Sequence, residues 1–234
     1  MTTPAAGPMR TRALALLLFL GLSTTTALAA SLSGGERIAG LKEALTQGTK
    51  VAIDQLGKPD GFLGNPEVKI PLPKPLKKAE KAMRLLGLRK QSDELVVAMN
   101  RAAEAAMPEA KAVLVDAVKK MTVQDAAAIL SGPDDAATQY FKRTSTPQLR
   151  EKLLPIVQRT TGKVGVAHKY NSLAGKLSDA GIVKPEQASI ESYVTDKALD
   201  GLFLMIAKEE AAIRKNPLGQ ASSILKKVFG ALGK

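Results

Sequence analysis

The single histidine, His168, in the string VAHKYN is the most obvious candidate for a general base in this sequence. A histidine can act as a general base near neutral pH, but a catalytic triad also needs a nucleophile and an orienting acid. No Ser or Asp spacing around His168 makes such a triad recognisable. The pattern therefore favours an ordinary polar residue, and a hydrolase that uses His168 is the third hypothesis for this chain.

Paired carboxylates offer a second kind of chemistry. Asp196 and Asp200 are spaced i, i+4 and share a helix face, where they could hold a cation, meet Lys142 and Arg143, or serve a hydrolase. A solvated helix face is the favoured interpretation. The chain has no Cys and one His, so it cannot offer the usual zinc ligand sets. We predict neither a metal site nor a cofactor.

Aromatic and cationic side chains adjoin in the string QYFKRT. Tyr140 and Phe141 precede Lys142 and Arg143, and Tyr193 could lie near them in the fold. Such a set could hold the tail of an amphiphile on its rings and the acidic head on its cations. The alternative puts the rings in the core and the charges in water.

The segment that should form one wall of this site is basic. Seven Lys and Arg residues and one acid lie in Lys74–Lys90, and the pattern predicts a helix with Lys77, Lys81 and Arg84 on its polar side. These three cations complete the predicted ligand site. The alternative is that they only keep the surface solvated.

A proline-rich strap, about residues 57–75, precedes that helix. Proline fixes φ and pushes the preceding residue into an extended conformation, so we predict an extended segment without ladder pairing. The strap is too apolar for a free linker. We expect its apolar side chains to press into a helical seam: Phe62, Leu63, Val68, Ile70 and Leu72.

The rest of the chain shows helical periodicity and no strand alternation. We predict an all-α, single-domain bundle of about eight or nine helices over residues 30–234. Ser92 is a predicted N-cap, Thr122 and Asp125 a predicted capping box, and Pro108 a kink or a helix start. Thr146-Pro147 is predicted to begin a further helix.

The C-terminal string SSILKKVFGALGK predicts a last helix, about residues 218–232. On a helical wheel its apolar residues occupy an arc of about 140°, with Lys226 and Lys227 outside it. It is typical of an interfacial helix and equally of one docked on its own bundle. The residues that would contact a membrane are Ile224, Leu225, Lys226, Lys227, Val228 and Phe229.

The first 29 residues predict a cleaved signal peptide. Arg10 and Arg12 precede an apolar run too short to span a bilayer, and Ala27 and Ala29 form an A-x-A site. We expect export to the periplasm or beyond, with no transmembrane segment in the mature chain. Loss of Arg10 and Arg12 lowers the net charge from +12 to +10, and this charge is expected to meet anionic lipid, an amphiphile or an envelope protein, and no nucleic acid.

Several long strings resemble a family of exported bacterial proteins, domain-of-unknown-function family 4197. They are AGLKEAL, QLGKPDGFLGNPEVKIPLP, MNRAAEAAMPEAK, DDAATQYFKRTS, YVTDKALDGLF, EEAAIRKNP and ASSILKKVFG. The resemblance covers essentially the whole mature chain. It implies a helical protein of the Gram-negative envelope and supplies no activity, ligand or catalytic residue.

The leading hypothesis is a non-enzymatic periplasmic protein that binds an anionic or amphiphilic ligand or an envelope partner. The alternative is a peripheral membrane-surface protein anchored by its C-terminal helix.

Overall fold

The chain is all-α, as predicted. A computed structural model describes residues 33–77, 85, 87, 89–162, 165, 167–168, 170–172 and 189–215. Within these ranges there is no strand, and they contain five helices with complete bounds. These are α1 (Gly34–Gly57), α2 (Arg89–Lys120), α3 (Val123–Ser131), α4 (Ala136–Thr161) and α5 (Ile190–Lys215).

The four long helices pack around one hydrophobic core. Helices α1 and α2 are antiparallel, because Lys42 Nζ lies 3.4 Å from Lys119 O while the far end of α1, at Gly57, lies beside Met107. Helices α4 and α5 are also antiparallel, joined near one end by Thr138 and Glu210. The short helix α3 packs against α1 and α4. All described residues belong to the compact unit Leu32–Lys234.

Local sequence sets two of the helix starts. Ser33 and Glu36 form a capping box at α1, and Thr122 and Asp125 form the predicted one at α3. In each box the hydroxyl accepts from a backbone N–H of the first turn while the carboxylate accepts from the N-cap N–H. The capping box predicted at Thr122 is confirmed.

Other predicted helix starts fall inside helices. Helix α2 begins at Arg89, so Ser92 is not its N-cap; the Ser92 hydroxyl donates to Arg89 O at 2.8 Å. Pro108 lies within α2 and Pro147 within α4. The Thr146 hydroxyl donates to Lys142 O at 2.7 Å and caps nothing.

Packing keeps α2 continuous through Pro108. An interior proline costs a helix about 3 kcal/mol. Around this one, however, Ala106, Met107 and Ala110 are completely buried, and their burial opposes that cost. The count of eight or nine helices is not confirmed, and the predicted helix at 218–232 lies outside the described residues.

The strap crosses α2 and α5. Residues 58–64 form a bend and turns, and residues 69–73 have no regular secondary structure, so the extended conformation predicted for residues 57–75 is not confirmed. Phe62, Val68, Ile70 and Leu72 are buried, whereas Leu63 is partly exposed. These side chains join the core that the four long helices share.

Side chains of α2 and α5 satisfy the strap backbone in place of a neighbouring strand. The Asn100 amide accepts from Ile70 N at 2.8 Å and donates to Ile70 O at 2.9 Å. One turn further, buried Glu104 accepts from Phe62 N at 3.0 Å and Leu63 N at 3.1 Å. Asn100 and Glu104, at i, i+4 spacing on α2, therefore supply the hydrogen bonds that a neighbouring strand would supply in a sheet.

Candidate functional site

The aromatic residues of QYFKRT lie in the core. Tyr140 is 4% exposed and Phe141 is fully buried, and their rings meet edge to face with centroids 5.7 Å apart. The Tyr140 hydroxyl donates to Ala117 O at 2.8 Å. Burial raises the pKa of Tyr140. The two rings join α4 to its neighbours and present no ligand surface.

The two cations that follow lie on the surface above aromatic rings. Lys142 Nζ is 5.8 Å from the centroid of the Phe203 ring, and the Arg143 guanidinium is 5.8 Å from that of Tyr140. At exposed positions such cation–π contacts contribute about 0.5–1 kcal/mol. The contacts hold both side chains against the bundle and leave their charges in water.

Tyr193 does not join this group. It lies ten residues before Phe203 on α5, a distance of about 15 Å along the helix axis. Its hydroxyl donates to Pro71 O at 3.0 Å, so it contacts the strap, and burial raises its pKa. Lys77 is exposed near the end of the strap, while Lys81 and Arg84 lie outside the described residues.

The residues considered for catalysis or cation binding have other partners. His168 is exposed, with Nε2 2.7 Å from Gly162 O. Asp196 pairs with Arg150, and Asp200 pairs with Lys197 at 2.8 Å. Neither carboxylate pairs with Lys142 or Arg143. Across the described part of the chain, no three acidic or histidine side chains form a group that could hold a metal ion.

An apolar groove between the first turns of α1 and the length of α3 was not predicted. Its volume is about 400 Å³, within the range of about 300–1,000 Å³ common for ligand sites. Val123, the first residue of α3, is 67% exposed at this groove. We call it the α1–α3 groove; it is lined by Gly34, Arg37, Ile38, Val123, Ala127, Leu130 and Ser131.

Cations border this groove. Arg37 lines it, and Lys42 lies one turn beyond Ile38 on the same face of α1, about 6 Å along the axis. Lys119 and Lys120 end α2, two residues before α3 begins, and Lys42 Nζ lies near the Lys119 carbonyl. Lys120 also pairs with Asp116 at 2.7 Å. Lys42, Lys119 and Lys120 form what we call the lysine cluster.

The charge of Arg143 also reaches the start of α3. Hydrogen bonds from Thr122 lower the pKa of Asp125, and the positive charge of Arg143 lowers it further. Arg143 therefore adds to the positive potential beside the α1–α3 groove. The C-terminal end of α2 carries the negative end of the helix dipole. This dipole favours lysines in the last turn, where Lys119 and Lys120 lie.

The chain is thus an all-α bundle with an apolar groove beside a cluster of cations. Its sequence matches the family described as Protein of unknown function (DUF4197) over residues 31–230. The chain belongs to this family, which confirms the resemblance drawn from its long motifs. Comparisons with curated proteins and with solved structures find no match. Among the helices in the described ranges, none combines the length and apolarity that crossing a bilayer demands.

The groove could not be predicted from sequence patterns because its residues lie far apart in the chain. Ile38 belongs to the apolar stripe of α1 by its helical spacing. Val123 follows the N-cap Thr122, and its sequence position does not distinguish it from other residues of α3. The one available signal was the unusual position of Val123, a large apolar side chain at N1 of a short helix. Such a residue is outside the buried stripe that helical periodicity detects.

Proposed function

We propose that the protein is a non-enzymatic envelope protein that binds an anionic amphiphile in the α1–α3 groove. The alkyl chain lies along Ile38, Val123 and Leu130, and the acidic head meets Arg37 and the lysine cluster. The observation that carries this proposal is the exposed apolar side chain of Val123 in a groove that Arg37 also lines. Export of the chain, proposed from its leader, would bring it to a compartment bounded by anionic amphiphiles.

Two physical effects combine in such a site. Each square ångström of alkyl surface removed from water contributes about 25 cal/mol, without regard to direction. Charge-assisted hydrogen bonds from ammonium or guanidinium groups orient the acidic head. Neither effect requires a reacting group, so the mechanism is binding alone.

The proposal is tested by calorimetric titration of the protein with three ligands. They are dodecyl phosphate below its micellar concentration, dodecyl maltoside and inorganic phosphate. We expect dodecyl phosphate to bind most tightly, because only it carries both the chain and the charge. Val123→Ser should weaken it roughly fivefold through the loss of apolar contact. Lys119→Gln should weaken dodecyl phosphate and leave dodecyl maltoside unchanged.

The matched control is Val51→Ser, since Val51 is a partly exposed valine on α1 outside the groove. Equal losses of affinity for dodecyl phosphate in Val51→Ser and Val123→Ser would overturn the proposal. The absence of binding heat with dodecyl phosphate would also overturn it. Binding to anionic vesicles that survives Val123→Ser but is lost on Phe229→Ser would favour the membrane-surface alternative.

A further inference from the structure

We infer that the exposed side of α5 is a self-complementary surface on which the protein forms a two-fold symmetric dimer with a second copy of itself. The surface is centred on Leu204 and includes Glu67 of the strap. The α1–α3 groove lies on other helices, so this inference is independent of the proposed function.

An exposed leucine forms the centre of this surface. Leu204 is 40% exposed near the middle of α5, whereas Leu202 and Phe203 beside it are buried. Ala207 and Ala211, three and seven residues further along, lie on the same side of the helix and are partly exposed. The described part of the bundle therefore leaves a small apolar ridge in contact with water.

Charges of opposite sign flank the leucine at equal distances. Asp200 lies four residues before Leu204 and Lys208 four residues after it, so each is about 6 Å from the leucine along the helix axis. Asp200 pairs with Lys197 at 2.8 Å, and Lys208 pairs with Glu67 of the strap. Each of these four charged side chains is at least 43% exposed, so each can meet a further partner.

A second copy of the chain fits this pattern when its α5 runs antiparallel. With the two-fold axis at Leu204, the two leucines pack together and Lys208 meets the partner's Asp200. Four charges then alternate in sign along a row: Glu67, Lys208, the partner's Asp200 and the partner's Lys197. The two-fold axis repeats this row on the other side of the leucines, because such an interface uses the same patch on both subunits.

Charge also disfavours the competing arrangements. Two parallel α5 helices would place Lys208 against the partner's Lys208 and Asp200 against the partner's Asp200, and like charges oppose that contact. A uniformly acidic or basic partner would be attracted at one end of the ridge and repelled at the other. The charges thus select the partner and its orientation, while the leucines contribute apolar contact.

The size of the surface sets the expected strength of the dimer. One helix face and a neighbouring strap residue resemble weak, transient interfaces, which bury less than about 1,200 Å² in total. We therefore expect a dissociation constant in the micromolar range. Salt should shift the equilibrium towards the monomer, because the flanking charges are exposed.

Complementary charge reversal tests the two-fold pairing. Sedimentation velocity measures the dimerisation of the purified protein at about 1–300 µM, a range that brackets a micromolar dissociation constant. Lys208→Glu and Asp200→Lys each turn two attractive contacts of the dimer into repulsive ones, and each variant alone should dimerise roughly tenfold more weakly or worse. An equal mixture of the two should restore the dimer, because both contacts of the mixed dimer again join opposite charges.

Cysteine trapping locates the two-fold axis, because the natural chain contains no cysteine. Leu204→Cys places a thiol opposite its own copy, and Val51→Cys on α1, at a site of similar exposure (38%), is the matched control. We expect mild oxidation to link two chains through Leu204→Cys roughly tenfold faster or more, since the dimer raises the effective thiol concentration.

A protein that stays monomeric throughout the measured concentration range would overturn the inference. Single charge variants that dimerise as strongly as the natural chain would also overturn it, and so would a mixture that stays monomeric. Restoration in the mixture excludes misfolding as the cause of weak dimerisation, because an unfolded variant could not pair. Equal disulfide rates for Leu204→Cys and Val51→Cys would show that any dimer uses another face and would overturn the inference as well.

Discussion

At the scale of single residues, two adjacent glutamates near the end of α5 have opposite environments. Glu210 is buried and accepts from Ala137 N, Thr138 N and the Thr138 hydroxyl, each at 2.9 Å. Its carboxylate therefore caps α4 from another helix and pairs with Arg214 as well. Glu209 is partly buried with one weak contact, Gln55 Nε2 at 3.4 Å, and burial raises its pKa against the effect of that contact.

The same isosteric substitution at these two positions should have opposite effects. Glu210→Gln removes a charge that Arg214 and the α4 N-terminus need, and we expect unfolding free energy to fall by about 3 kcal/mol. Glu209→Gln should raise it at pH 7, because the raised pKa shows that the folded state disfavours the ionised carboxylate. Urea unfolding measured at several pH values checks both results.

The pH dependence distinguishes the cause at Glu209. A raised folded-state pKa gives an acid a stabilising contribution that is present below its ordinary pKa of 4.5 and lost as pH rises through the folded value. The gain of Glu209→Gln should therefore vanish below about pH 4, where both states bind the proton. A gain independent of pH would contradict this explanation.

At the scale of elements, a glycine on α5 determines how closely the strap packs against that helix. A Cβ at Gly201 would lie 2.8 Å from Phe62 Cε1 and 3.2 Å from Val68 Cβ. Phe62 is fully buried, so its ring has little room to move. Glycine at this position lets the strap pack directly on the α5 backbone, and this contact joins two elements distant in sequence.

Gly201→Ala should therefore destabilise the protein by about 1–2 kcal/mol through overpacking, even though alanine favours a helix by about 1 kcal/mol. The matched control is Gly48→Ala on α1, where a Cβ would meet Ile213 Cδ1 at an ordinary 3.4 Å. We expect that control to be neutral or stabilising. Thermal unfolding followed by circular dichroism compares the two, and equal gains would show that the strap yields at Phe62.

At the scale of the whole molecule, the described helices and the strap share one core. Tyr140 reports on the packing of α4 against α2, and Tyr193 reports on the contact between α5 and the strap. The third tyrosine, Tyr170, is buried near the start of α5. With no tryptophan present, tyrosine emission follows all three places at once.

Unfolding in urea should be a single transition, because no described helix buries its apolar face without the others. We expect the midpoint from tyrosine emission to match the midpoint from far-ultraviolet circular dichroism. Tyr140→Phe and Tyr193→Phe remove one reporter each and should leave the two signals coincident. Midpoints that separate in either variant would show that the strap and α5 unfold apart from α2 and α4.

Much of the fold could be predicted from local patterns. The all-α class and the capping box at Thr122 follow from periodicity and turn chemistry that act within a few residues. The helix starts predicted at Ser92 and at Thr146-Pro147 were wrong, because both positions lie inside longer helices. There, packing of whole helices outweighs the local preference of a serine or a proline.

The sequence by itself determined the helical class, the family, the positive charge and the apolar character of residues 57–75. Only the tertiary structure decided which cations meet an apolar surface: it placed Tyr140 and Phe141 in the core, Tyr193 on the strap, and Arg37 in the same apolar groove as Val123. It likewise made Glu210 the cap of a helix more than seventy residues away. Local propensities act between neighbours in the chain, whereas a site depends on contacts between distant segments, which form only when the bundle closes.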